Sequence, residues 1–337
     1  MNMTPERAQA LVRAALPAYG LDPLMPLELI KQRENTVFRA STPQGELAVR
    51  LHRQGYHPDA DVAAELGLVQ LLEAAGVPVP HFLSAVGGQH FTVVSEEGHG
   101  EHQVDVQRWI NGAEPLGDSV LALAGTADVD LEQWRQLGAL AASSHVAIAA
   151  AQAAGRAPEC GGRVAWDVDG LVGERPAWGD PLRLVEMSQA ERGELLAGIE
   201  VLRTQLAGYG KSEDRYGPIH ADFTVENVMS TPEGLVLIDF DDFAAGWHLF
   251  DVATMLFFFG PHPRYQEIRE AALAGYTAVR PLRQADLDVL DALIFGRGLT
   301  YLGWAADRRG EPEAEHVAMN IYPHVLHLAR ALTARTA

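Results

Sequence analysis

Residues 217–243 read GPIHADFTVENVMSTPEGLVLIDFDDF, which sets His220, Asp222 and Asn227 in the spacing H-x-D-x-x-x-x-N, with Asp239 at the end of the next apolar run. Carboxylates gathered where strands end make either a solvated loop or a ligand set. Phosphoryl transfer asks little covalent chemistry of a protein; it needs a carboxylate beside the attacking hydroxyl and ligands that hold a metal ion against the phosphates. Asp222 fits the first role. Asn227 and Asp239 fit the second, since an amide oxygen and a carboxylate are hard ligands suited to Mg²⁺. The turn Pro232-Glu233-Gly234 folds the loop back toward the strand end, which brings the two together.

These residues resemble the catalytic signature of the aminoglycoside phosphotransferase and choline kinase superfamily, which has the protein-kinase-like fold. That signature is H-G-D-x-x-x-x-N followed by a strand ending I-D-[FWY]-[DE]; HADFTVEN and IDFD stand in its place here. GWHLFDVATML is similar to the family segment whose aspartate, here Asp251, supports the catalytic loop. The resemblance implies that His220 organises that loop by hydrogen bonds. Ala221 stands where the family has glycine: harmless at ordinary φ, otherwise a strain of ~1 kcal/mol.

The resemblance also reaches the first third of the chain. ELAVRLHR takes the place of the strand whose basic residue grips the ATP phosphates, with Arg50 for the usual lysine and Glu65 as its partner; the bland alternative is a surface ion pair of little worth. QRENTVFRA resembles the phosphate loop, with Asn35 near its turn and no glycine. QRWI, with Gln107, Trp109 and Ile110, falls where the family's hinge presents backbone groups to adenine. ATP and Mg²⁺ are the implied cofactors, bound between two lobes. Asp241 has two readings, metal or substrate binding against a turn or helix cap, and for Asp242 the cap is preferred. Trp247, His248, Tyr301 and Trp304 either line an acceptor pocket or pack a core, and His145 reads as a satisfied, partly buried histidine rather than a ligand. An aspartate-nucleophile phosphatase is excluded because DFDD falls late in a helical region, without the alternating strands and helices that fold needs. No H-E-x-x-H or cysteine pair suggests zinc.

Around these residues the pattern predicts an α+β fold with a small antiparallel β lobe over residues 1–110 and a larger helical lobe over residues 111–337. TVFRAST and ELAVRLH flank Pro43-Gln44-Gly45 as a hairpin, while HFTVVS and VDVQRWI extend the sheet around a turn in EEGHGEHQ. Val62, Leu66, Val69 and Leu72 mark a helix started by Asp59 or Asp61 and ended by Gly76 and Pro78. Ser188 and Glu191 have capping-box spacing. Residues 154–182 form the most irregular stretch, either a loop over a site or a surface excursion.

The chain has 337 residues and a net charge of −19, which argues against nucleic acid and anionic membranes as partners. Cys160 is the single cysteine, so an intrachain disulfide is impossible and a reducing cytoplasm suits the chain. MNMTPERAQALVRAALPAYG reads as an amphipathic helix rather than a signal peptide. The expected activity is transfer of the γ-phosphate of MgATP to a small-molecule hydroxyl: an amino alcohol, homoserine-like, choline-like or aminoglycoside acceptor. ENTVFR and AVRLHR resemble the homoserine-kinase-like and stress-kinase-like branch, so a protein serine/threonine kinase is one alternative. A catalytically silent nucleotide-binding regulator is the other. Only nine residues separate Asp241 from Asp251, too few for a peptide-docking loop, which favours a small acceptor.

Overall fold

Thr4 accepts the N–H of Arg7 and opens α1 (Pro5–Ala15), with Pro5 in the first turn, where its missing N–H costs nothing. The computed structural model describes residues 3–32, 35–96, 100–184 and 187–335. Two compact units emerge: Met1–Ala113 with Pro158–Gly162 and Thr231–Ile238, and Glu114–Ala157 with Arg163–Ser230 and Asp239–Ala337.

The first unit is an antiparallel sheet of β1 (Leu27–Gln32), β2 (Thr36–Thr42), β3 (Gly45–Leu51), β4 (Thr92–Glu96) and β5 (Gly100–Arg108), in the order β1-β2-β3-β5-β4. Thr42 faces Gly45 across the two-residue turn Pro43-Gln44, and Gly45 takes a φ of 119° that a side chain resists. Strand β5 starts earlier than VDVQRWI suggests, because Glu101 and Gln103 pair with Ser95 and Val93. Residues 97–99 of the expected turn, and Arg33 and Glu34 of the expected phosphate loop, lie outside the described residues. One face of the sheet packs Phe38, Val49, Leu51, Val104 and Val106 against Ala8, Leu11, Val12 and Ala15 of α1. Each such fully buried valine or leucine contributes about 1.5–3 kcal/mol.

Helix α2 (Asp59–Ala74) buries Val62, Leu66, Val69 and Leu72 as their spacing predicts, and Glu65 with them. Its cap differs from expectation. Pro58 is the N-cap and offers no side-chain acceptor, while Asp59 and Asp61 lie in the first turn. They serve elsewhere: Asp59 accepts Gln103 Nε2 at 2.7 Å and Asp61 accepts the Gly162 N–H at 2.9 Å.

In the second unit β6 (Glu114–Pro115) leads to α3 (Ser119–Leu123), α4 (Leu131–Ala153), α5 (Val168–Val172) and α6 (Gln189–Tyr209), the last opened by the predicted Ser188/Glu191 capping box. Next come β7 (Tyr216–Ile219) and β8 (Val228–Thr231), then β9 (Gly234–Leu237), which belongs to the first unit, where Leu237 N–H donates to Pro78 O. After β10 (Ala244–Trp247) follow α7 (His248–Phe257), α8 (Tyr265–Val279), α9 (Gln284–Asp307) and α10 (Pro312–Ala334). Helices α4 and α8 touch backbone to backbone: a Cβ at Gly138 would lie 1.9 Å from Ala272 O, and one at Gly275 equally close to Arg135 O. Helix α9 is the core element, buried continuously from Ala292 to Thr300. Among the described residues no helix is long and apolar enough to cross a membrane.

Candidate active site

Strand β7 pairs antiparallel with β10, Ile219 opposite Ala244, so the residues after Ile219 leave the strand beside the turn that precedes β10. From α7 the Asp251 carboxylate accepts the Ala221 N–H at 2.7 Å and the His220 N–H at 3.1 Å. Thr254, one turn on, donates its hydroxyl to Ala221 O. Held at both ends of its backbone, Ala221 adopts φ 67°, the left-handed conformation that glycine takes freely and alanine pays for with about 1–2 kcal/mol.

Behind Asp251 a second layer fixes its geometry. Burial depresses the His145 pKa far below the usual range, so the ring is neutral: Nε2–H donates to Asp251 Oδ2 at 2.9 Å while Nδ1 accepts the Tyr276 hydroxyl, also at 2.9 Å. Burial pushes the Asp251 carboxyl up to about 6 against the opposing pull of His220 and the two backbone N–H groups. The His220 ring is buried against Phe223 and Phe240.

Asp222 follows at the exposed side of the loop, about a quarter accessible, and both its oxygens are engaged. Oδ2 accepts Asn227 Nδ2 at 2.7 Å, and that same Nδ2 also donates to the Asp222 carbonyl, which turns the amide oxygen of Asn227 away from the carboxylate. Oδ1 accepts Nη2 of Arg297 on α9, a fully buried residue whose Nη2 also meets the Tyr301 hydroxyl at 2.8 Å. The guanidinium carbon stands 4.5 Å from the Trp178 ring centre and 4.4 Å from that of Tyr301, two cation–π contacts. Burial opposes the charge of Arg297, but Tyr301, Asp222 and Asp242 outweigh it and raise its pKa.

Asp239 begins the next turn with φ 64° and is half-buried; Ala221 and Asp239 are the non-glycine positive-φ residues among those described. Strain of this kind gathers at sites where geometry is over-determined. Neither Asp241 nor Asp242 caps a helix, because the N-cap of α7 is Trp247. Both instead form a turn, with their carbonyls taken by the Arg163 guanidinium and by Trp166 Nε1. Burial and then the charges of Asp222, Asp241 and Asp239 push the Asp242 carboxyl well above its usual range. Asp222, Asp239, Asp241 and Asp242 thus share one electrostatic neighbourhood, with Asn227 on the same loop as Asp222, and carboxylate and amide oxygens are the donor types that fit a hard divalent cation. Among the described residues no three His, Cys, Asp or Glu side chains form a cage, and a Mg²⁺ site completed by phosphates and water needs none.

In the first unit Arg50 is buried and doubly paired. Nε faces both Asp105 oxygens at 3.1 and 3.0 Å, and Nη2 reaches Glu65 Oε1 at 3.1 Å. His52 Nε2 adds 2.7 Å to Asp105. Burial opposes ionisation of Asp105, yet Arg50 and His52 overcome it and hold its pKa below the usual range. The pair with Glu65 is therefore buried, not a surface ion pair. Asn35 precedes β2 directly, half-buried.

The hinge expectation is altered. The N–H groups of Arg108 and Trp109 are already given to His81 O and Glu46 O, Gln107 bridges Phe82, and Trp109 carries the Arg39 guanidinium on its face. Ile110 follows, half-buried. Trp247 is a core residue, 1 % exposed, with its indole N–H on Gly210 O, and His248 is buried under His145; neither faces an acceptor. Trp304 is half-buried under Arg308, a turn away from Tyr301. Of the four residues suggested for an acceptor pocket, only Tyr301 joins the Asp222 cluster.

Sequence reasoning missed Arg297, Trp178, Asp105 and His52. One signal was present for Arg297: Gly296-Arg297-Gly298 in a helical run, where each glycine costs roughly 1 kcal/mol against alanine and so marks close packing. A Cβ at Gly298 would come within 2.7 Å of Phe257 and Val325. Trp178 arrives on the irregular stretch, which docks on α9 where Gly179 and Gly303 approach too closely for any side chain.

A family model described as "Phosphotransferase enzyme family" matches residues 27–287. An uncharacterized protein of Deinococcus radiodurans is 28 % identical over 311 residues, 90 % of this chain and 83 % of that one. The structure of a microcompartment-associated aminopropanol kinase superposes with a TM-score of 0.81 at 28 % identity, covering 95 % of this chain and 96 % of the other. An amicoumacin kinase, solved in complex with AMP-PNP, Ca²⁺ and Ami, gives a TM-score of 0.69 at 16 % identity over 89 % and 88 % of the two chains.

Proposed function

Because the chain belongs to the phosphotransferase enzyme family, we propose that it transfers the γ-phosphate of ATP, as the magnesium complex, to the hydroxyl of a small amino alcohol. The observation that carries this reading is the Asp222 carboxylate, fixed through both oxygens on a loop whose backbone Asp251 holds. Asp222 would orient the acceptor hydroxyl and take its proton as the new oxygen–phosphorus bond forms; the bond to the ADP oxygen breaks, and the proton passes to solvent. Asn227, through its amide oxygen, and Asp239 would hold Mg²⁺, which when bound neutralises phosphate charge. In the first unit, Arg50 would meet the phosphates, braced by Glu65 and Asp105.

The choice of an amino alcohol rests on two supports. A cationic amine suits the carboxylates of Asp222, Asp239 and Asp241. A structural relative at 28 % identity is an aminopropanol kinase. The single cysteine agrees with a reducing cytoplasm as its location.

Steady-state ADP release tests the reading. Asp222→Asn is expected to lower kcat by on the order of 10²-fold or more while nucleotide binding, followed by calorimetry, persists. Full turnover in that variant would remove Asp222 from its assigned role.

A further inference from the structure

Arg297 is the least expected residue in the second unit: a guanidinium with no exposed surface, placed on the core helix α9. Among the described residues, neither its Nε nor its Nη1 has a hydrogen-bond partner. A buried arginine used only as a structural staple would normally spread its five donors over several acceptors, since each unmet donor is costly when buried. Here only Nη2 is used, on the Asp222 carboxylate and the Tyr301 hydroxyl. The remaining contacts are ring faces: Trp178, Tyr301 and, at 5.8 Å, Phe250.

Resting on the phosphotransfer reading, we infer that Arg297, packed against the two tilted rings of Trp178 and Tyr301, is a positioning residue that fixes the carboxylate plane of Asp222 for attack by the acceptor hydroxyl. Asn227 restrains Oδ2 alone, which leaves the carboxylate free to swing about that bond; Arg297 on Oδ1 removes the remaining freedom. The clamp explains the glycines around it. Gly298 lets α9 close on Phe257 and Val325, and the Gly179–Gly303 approach seats the loop that brings Trp178 over the guanidinium. Trp166, edge-on to Trp178 at 5.3 Å, is itself tied to β10 by its N–H on Ala245 O and holds that loop in place. A lysine is no substitute, because a compact ammonium on a flexible stem lacks the broad planar group that meets both rings.

The test uses the full chain with MgATP and an amino alcohol that wild type turns over, and it compares Arg297→Ala, Arg297→Lys and Trp178→Leu. A misplacement of the reacting group by about 1 Å costs on the order of 10²-fold in rate. Arg297→Ala is therefore expected to lose kcat on that scale with KM for MgATP within about twofold of wild type. Millimolar guanidinium should restore part of the loss, and equimolar sodium chloride should not. Arg297→Lys should stay at least about tenfold down, and Trp178→Leu should fall between it and wild type. Two results would overturn the inference: wild-type kcat in Arg297→Lys, or a loss in Arg297→Ala that guanidinium leaves untouched while Trp178→Leu is fully active. Should Arg297→Ala fail to fold, the lysine and Trp178 variants decide the matter alone. Absence of wild-type turnover with every acceptor would instead sink the phosphotransfer reading, a separate outcome.

Discussion

Asp251 gathers two backbone N–H groups and a neutral histidine on one carboxylate, and its ionisation is open to direct titration at the scale of single residues. Its folded value of about 6 lies above the ~3.9 of an unfolded aspartate, so the folded chain holds this proton more tightly. The stability it contributes is complete below pH ~4 and is lost as pH rises to about 6. In urea titrations the cost of Asp251→Asn should accordingly shrink by on the order of 2–3 kcal/mol between pH 4 and pH 6 and stay level above; a cost that grows across that interval would contradict the assignment. Ala221 offers a second check. Ala221→Gly relieves the left-handed strain but adds chain entropy, so melting should show stability unchanged or raised by up to about 1 kcal/mol, whereas Ala221→Val should lose more than that. The H-x-D-x-x-x-x-N spacing was legible because those residues are close in sequence and the loop is short. Arg297, 75 residues from Asp222, was not, because one arginine in a helix gives no sign of which carboxylate it will meet.

At the scale of elements, β3, β5 and α2 bring Arg50, Asp105 and Glu65 together, and β3 adds His52 at its end. The strand pattern foretold β2 and β3, and helical spacing foretold α2, so Arg50 and Glu65 were found. Asp105 was hidden by strand register: it lies directly opposite Arg50 across β3 and β5, a pairing the sequence does not reveal until both strands are aligned. Asp105 has no exposed surface, and removing its charge leaves Arg50 and His52 half-compensated. Asp105→Asn should therefore cost about 3–5 kcal/mol in denaturant melts and raise the KM for MgATP; a loss below about 1 kcal/mol would show that Glu65 alone suffices. Helix α9 teaches a related lesson. Its apolar, glycine-marked sequence announced burial, but its neighbours α7 and α10 and the loop with Trp178 are fixed by packing rather than by local pattern.

For the whole molecule, a net charge of −19 gives no general attraction for a polyanion, so on the proposed reading nucleotide binding would be local and metal-assisted. ATP with Mg²⁺ at about 100 times its Kd should stabilise the chain by about 2.7 kcal/mol, visible as a thermal shift. Asp239→Ala should abolish the magnesium-dependent part. The α+β class and its order, sheet first and helices after, were readable from the switch in hydrophobic period. The surroundings of Asp222 were not, since they come from a loop and a helix 123 to 124 residues apart, as Trp178–Tyr301 and Gly179–Gly303 show. The most direct measurement is magnesium-dependent ADP release over a panel of amino alcohols, choline-like compounds, sugars and aminoglycosides, with Asp222→Asn as the blank. Release stimulated by amino alcohols in wild type and absent from the variant is the predicted result; acceptor-stimulated release that persists in Asp222→Asn would contradict it.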